Sequence, residues 1–183
     1  MRRLRLLLLP AAFLLASLLG ASPGYAASAA QLNRDASAAL KKLYASQASA
    51  RTLGKSARAI LVFPSIVKAG FMFGGQLGDG VMFRGGKAVG YYNSVAASYG
   101  FQAGVQKFGY ALFFMNQAAV QQLTDTGGFE VGVGPSVVVV DEGMGRSITS
   151  NTVTSDVYAF IFSQKGLMAG MGVQGSKISK IDK

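Results

Sequence analysis

Apolar positions fall into three successive patterns along this 183-residue chain. From Leu6 to Leu19 they form a run broken only by Ser17. Between Leu32 and Leu43 they recur at helical spacing, with Leu32, Ala36, Ala39, Leu40 and Leu43 on one face and Arg34, Lys41 and Lys42 on the other. That spacing predicts a basic amphipathic helix. A second short helix is predicted over part of Ala48–Arg58, weakened by Gly54. From Ala59 onward the pattern becomes short and alternating. Ala59–Phe63 reads as a strand closed by Pro64, and further strands are predicted at Val81–Arg84, Val89–Tyr92, Ala111–Met115, Val137–Val140 and Val157–Phe162. Asn116 reads as the N-cap of a short helix over Gln117–Leu123. Turns are expected at Gly78-Asp79-Gly80, Gly85-Gly86, Gly127-Gly128 and Glu142-Gly143.

A repeated string marks the alternating region. Gly-[Phe/Leu]-x-x-Gly occurs at Gly70–Gly74, Gly100–Gly104, Gly128–Gly132 and Gly166–Gly170, at spacings of 30, 28 and 38 residues. Side chains alternate across a strand, so the glycines share one face and Phe or Leu takes the other. The Phe/Leu face is expected to be core. The bare glycine face suits close approach of another element or, equally, strong strand curvature. The predicted fold is α+β: a curved or barrel-like antiparallel meander packed with N-terminal helices and carrying one short helical insertion.

Charge follows the same division. Lys and Arg number 18 against 8 Asp and Glu, a net of +10. Residues 27–68 carry a net of +6, residues 69–164 a net of −2 and the tail from Lys165 a net of +3. Arg2, Arg3 and Arg5 before the first apolar run, with the small residues Gly20–Ala27 after it, describe a secretory signal peptide over residues 1–26. The run is short for a membrane span of about 20 residues, and Pro23-Gly24 follows it directly. The expected organisation is a leader at 1–26, a basic helical arm at 27–58 and a glycine-rich β body at 59–183. Localisation is expected outside the cytoplasm: periplasmic, membrane-peripheral or secreted.

Composition removes most enzyme chemistries. The chain has no Cys and no His, which excludes disulfides, thiol nucleophiles, a lipoprotein anchor, Ser-His-Asp catalysis and the usual zinc sites. Gly170-x-Gly172-x-x-Gly175 leaves no room for the helix and second strand of a dinucleotide site. Ser65-x-x-Lys68 lacks the companion motifs of penicillin-binding enzymes. Gly74–Gly80 lacks the Gly-Lys-Ser/Thr of a phosphate loop and reads as a turn. Asp79, Asp141 and Glu142 read as turn residues. No enzyme activity, cofactor or metal is expected. The aromatics do not interleave with the basic run, so nucleic acid is not an expected partner.

Several ordered strings resemble the SYLF lipid-binding domain, the Las17-binding actin-regulator type, in its bacterial exported branch. They are Ala59–Pro64, Lys68–Phe71, Tyr91–Asn93, Ser98–Gly100, Phe113–Met115, Glu130–Gly132 and Gln164–Gly170, and the resemblance covers about residues 35–181. The resemblance implies binding of anionic phospholipid, phosphoinositide-like in the family, through a basic amphipathic N-terminal segment. Family members that bind actin carry Src-homology or zinc-finger neighbours; none is found here, and actin is not carried over as a partner. The head-group candidates are Lys41, Lys42, Arg51, Lys55, Arg58 and Lys68, with Lys55 and Arg58 one turn apart if helical. The alternative reading is a structural or protein-interaction module of the envelope that docks a partner on its glycine-lined face.

Overall fold

The computed structural model describes residues 28–130, 137–140 and 154–183. The leader, Gly132 and the Asp141–Gly143 turn lie outside the described residues.

Helix α1 spans Ala29–Ser46. Ser28 caps it, its Oγ accepting from the Gln31 N–H at 3.2 Å. Gln47 breaks the helix in an extended conformation, and α2 follows at Ala48–Ser56. Leu32, Ala36 and Leu43 of α1 and Ala50 and Leu53 of α2 are buried, so the apolar stripe packs onto the sheet and the charged face points away from it.

Three long strands build the body: β1 at Ala59–Arg84, β2 at Lys87–Phe114 and β5 at Val157–Ile181. Helix α3, at Gln117–Asp125, and the short strands β3 (Gly128–Glu130) and β4 (Val137–Val139) lie between β2 and β5. The sheet order is β1-β2-β5-β3, all antiparallel, while β4 pairs with β5 in parallel. The sheet curls into a half-barrel, the α+β architecture expected from the sequence.

Five of the six predicted short strands are thus segments of longer ones, while Val137–Val140 corresponds to the short strand β4. Pro64 does not end β1. Pairing continues from Phe63↔Tyr110 to Ile66↔Phe108 across a bulge, where an edge strand tolerates the missing N–H. Gly78-Asp79-Gly80 is not a turn, nor is Gly74–Gly80: Gly78 pairs with Ser94, Asp79 with Asn93 and Gly80 with Tyr92. The turn instead falls at Gly85-Gly86, whose φ values of 56° and 77° suit a two-residue hairpin with positive φ at both positions.

The sheet's two faces have different roles. Leu61, Phe63, Ile66, Met82, Tyr92 and Leu112 form an inner core with Ala119, Val120 and Leu123 of α3. Ile60, Val62, Val81, Phe113 and Phe160 form an outer core under α1 and α2. The repeat glycines of β1 and β2 alternate onto the inner face. Within the repeat, a Cβ at Gly70 would lie 2.6 Å from Gly74 Cα; outside it, one at Gly80 would lie 2.6 Å from Phe63 Cδ1. Here the element approaching the glycines is β1 itself, folding back at Gly70–Gly74.

The opposite face departs from expectation. The repeat predicts it as core, yet Phe71 is 76% exposed, Phe73 70% and Leu167 88%. The α1–α2 layer covers one part of the outer face and leaves this part bare. The strand period was right, but burial also requires a covering layer.

Candidate functional site

Lys41 on α1, Lys55 near the end of α2 and Arg58 just beyond it line one cavity of about 450 Å³. Leu40, Tyr44 and Phe83 supply apolar lining, and the Gly85-Gly86 turn closes one side. Among the described residues, no Asp or Glu lines this cavity. Burial pushes the Tyr44 hydroxyl above its ordinary pKa, so it stays protonated at neutral pH. Three cations over an apolar wall can receive an anionic head group with a hydrocarbon neighbour.

Lys55 and Arg58 do not form the helical pair expected from their spacing. Helix α2 ends at Ser56, Ala57 is extended, and the Arg58 N–H donates to the Phe114 carbonyl at 2.7 Å. That hydrogen bond ties the start of β1 to β2, and both side chains still reach the same cavity.

The other three candidates separate. Arg51 is engaged in structure: its guanidinium donates to the Tyr44 carbonyl oxygen at 2.6 and 3.2 Å, satisfying a carbonyl near the end of α1. Lys68, half-buried and in register with Gln106, falls in the inner-face alternation of Ile66 and Phe108, away from α1 and α2. Lys42 lines a second cavity of about 450 Å³ together with Lys107 and Lys165.

Lys107 and Lys165 were missed by sequence reasoning. They are register partners on β2 and β5, a like-charge pair set directly opposite across adjacent strands. Such a pair is unfavourable without a counter-charge. Among the described residues, Asp35 is the one acidic residue lining that cavity. Only the strand pairing reveals this cluster, because the two lysines are 58 residues apart in sequence.

Asp79, expected in a turn, is a structural anchor. Lys183 Nζ lies 2.7 Å from its Oδ2, and Asn93 Nδ2 donates to its Oδ1 at 2.8 Å. Burial raises its pKa, but the hydrogen bonds from Lys183 and Asn93 and the Lys183 charge outweigh that and hold it below the usual carboxylate range. Among the described residues no group of three or more Asp, Glu, His or Cys is placed to hold a metal. No described helix is long and apolar enough to cross a membrane.

Residues 95–183 match the family model Ysc84, described as Las17-binding protein actin regulator. This agrees with the SYLF resemblance over the C-terminal half of the chain. The match includes Lys107 and Lys165 and begins after all six head-group candidates, the five of the basic arm and Lys68 on β1. No curated protein matches the chain.

Proposed function

With residues 95–183 of the Ysc84 family as premise, we propose that this protein binds anionic phospholipid surfaces peripherally and without catalysis. One observation carries the reading: the cavity where Lys41, Lys55 and Arg58 converge beside Leu40, Tyr44 and Phe83, with no carboxylate among the described residues that line it. A basic residue near an anionic membrane contributes about 1 kcal/mol, so three together support measurable binding. The docked apolar stripe of α1 favours presentation of its charges from a folded surface over insertion of the helix itself.

Export belongs to the same proposal. Its support is the basic, apolar and small-residue sequence of residues 1–27. It places the molecule at an envelope membrane, apart from cytoplasmic actin. Intact-mass measurement on protein from its native envelope should give a chain beginning near Ala27, and a retained leader would refute cleavage.

Binding is tested by co-sedimentation with phosphatidylglycerol/phosphatidylcholine vesicles and with phosphatidylcholine alone. Sedimentation is expected with the first and not with the second. The triple variant Lys41→Glu/Lys55→Glu/Arg58→Glu should weaken anionic binding on the order of a hundredfold or more. Unchanged binding by a folded triple variant would remove this cavity from the function.

A further inference from the structure

The bare part of the outer face is a contiguous apolar patch with a cationic border. Cross-strand register places Val67, Lys107 and Lys165 in one row, and Ala69, Val105 and Leu167 in the next. Phe71 follows in register with Ala103, and Phe73 lies beyond it at the bend in β1. Phe71, Phe73 and Leu167 are at least 70% exposed, and Val105 is 59% exposed. Single exposed apolar side chains are ordinary; a cluster spread over three strands marks an interaction surface.

We propose that this patch is a membrane-insertion surface. Phe71, Val105 and Leu167 enter the interfacial layer of an anionic bilayer, while Lys42, Lys107 and Lys165 hold lipid phosphates at its edge. The inference rests on the lipid-binding reading above and adds a second contact to it.

Charge selects this occupant. Lys107 and Lys165 face each other across β2 and β5 beside Lys42, a cationic border that exceeds the single charge of Asp35 near it and that phosphate anions complement. Two copies of the chain joined through the patch would instead bring four of these lysines together across a two-fold axis. A bilayer supplies both the apolar medium for Phe71 and Leu167 and the negative charge one row away. Amphipathic surfaces bind membranes through this combination of buried apolar area and electrostatic attraction.

The chain contains no Trp, so Phe71→Trp and Leu167→Trp are single fluorescent reporters. Gln121→Trp, on the exposed side of α3 and remote from the outer face, is the control. With phosphatidylglycerol/phosphatidylcholine vesicles, emission at positions 71 and 167 should shift to the blue and be quenched by brominated acyl chains. Emission at position 121 should do neither. The double variant Phe71→Thr/Leu167→Thr should still sediment at low salt. It should lose the bound fraction that survives about 1 M salt, where the screening length is roughly 3 Å.

Three results overturn the insertion surface. Unshifted emission at 71 and 167 in protein that does sediment refutes insertion and leaves charge-based binding standing. A shift without vesicles, accompanied by concentration-dependent dimerisation, assigns the patch to a second copy. Failure of the unsubstituted protein to sediment with any anionic vesicle refutes both the patch and the lipid reading.

Discussion

Gly80 and Phe71 occupy opposite faces of the same strand and tolerate opposite changes. At Gly80 a new Cβ meets the Phe63 ring at 2.6 Å inside the inner core, where neighbours on both β1 segments restrict movement. Gly80→Val should cost about 1–3 kcal/mol by overpacking. Phe71→Thr replaces a 76% exposed side chain with another strand former and should stay within about 0.5 kcal/mol. Urea midpoints of the two variants check this contrast; comparable losses would mean that Phe71 is packed. Asp79 makes a separate demand. Its folded pKa lies below its unfolded value, so its contribution is present above that value and fades as pH falls through the folded one. Stability should therefore decline below about pH 4 through this group, and Asp79→Asn should flatten that part of the curve while lowering stability at neutral pH. An acid transition unchanged in the variant would remove the Lys183–Asp79 contact from the stability of the fold.

At the scale of elements, legibility depended on whether the signal was local. The α1 stripe is local: of the five positions its spacing assigned to one face, Leu32, Ala36 and Leu43 are buried and Ala39 and Leu40 partly buried. Leu43→Ala should consequently cost about 2–5 kcal/mol, read from the denaturation midpoint. A much smaller loss would mean that the helix is only loosely seated. Asn116 is equally local, its Oδ1 accepting from the Ala119 N–H at 2.8 Å as an N-cap should. The long strands were hidden because glycine and proline mark turns and bulges with the same letters. Pro64 sits at a bulge on an edge strand, and Gly78 and Gly80 sit where β1 crosses its own earlier half. In both places pairing across the strand persists while the local sequence suggests an end. The candidate site divided on the same line. Lys41 and Lys55 were legible as cations of the arm, whereas Lys107 beside Lys165 exists only through β2–β5 register. The exposure of Phe71 and Leu167 was hidden for a related reason, since alternation defines a face and does not say whether a helix reaches far enough to cover it.

For the whole molecule, the cations form a belt around α1. Lys41 opens toward the cavity shared with Lys55 and Arg58, Lys42 toward the one shared with Lys107 and Lys165, and the apolar patch adjoins the latter. The belt has no histidine, and the chain has none anywhere. Histidine is the side chain whose ordinary pKa falls in the neutral range, so the belt carries no side-chain switch of that kind. Affinity for vesicles whose anionic lipid is a phosphodiester, such as phosphatidylglycerol, should accordingly be flat between about pH 5.5 and 8.5. A phosphomonoester head group behaves differently, because its second ionisation lies near pH 6 and adds negative charge as pH rises. Binding to monoester vesicles should therefore strengthen through about pH 6–7, with the inflection belonging to the lipid and not to the protein. Measuring both vesicle types in one buffer series separates the two contributions. An inflection near pH 6 on phosphatidylglycerol would contradict a site built without histidine.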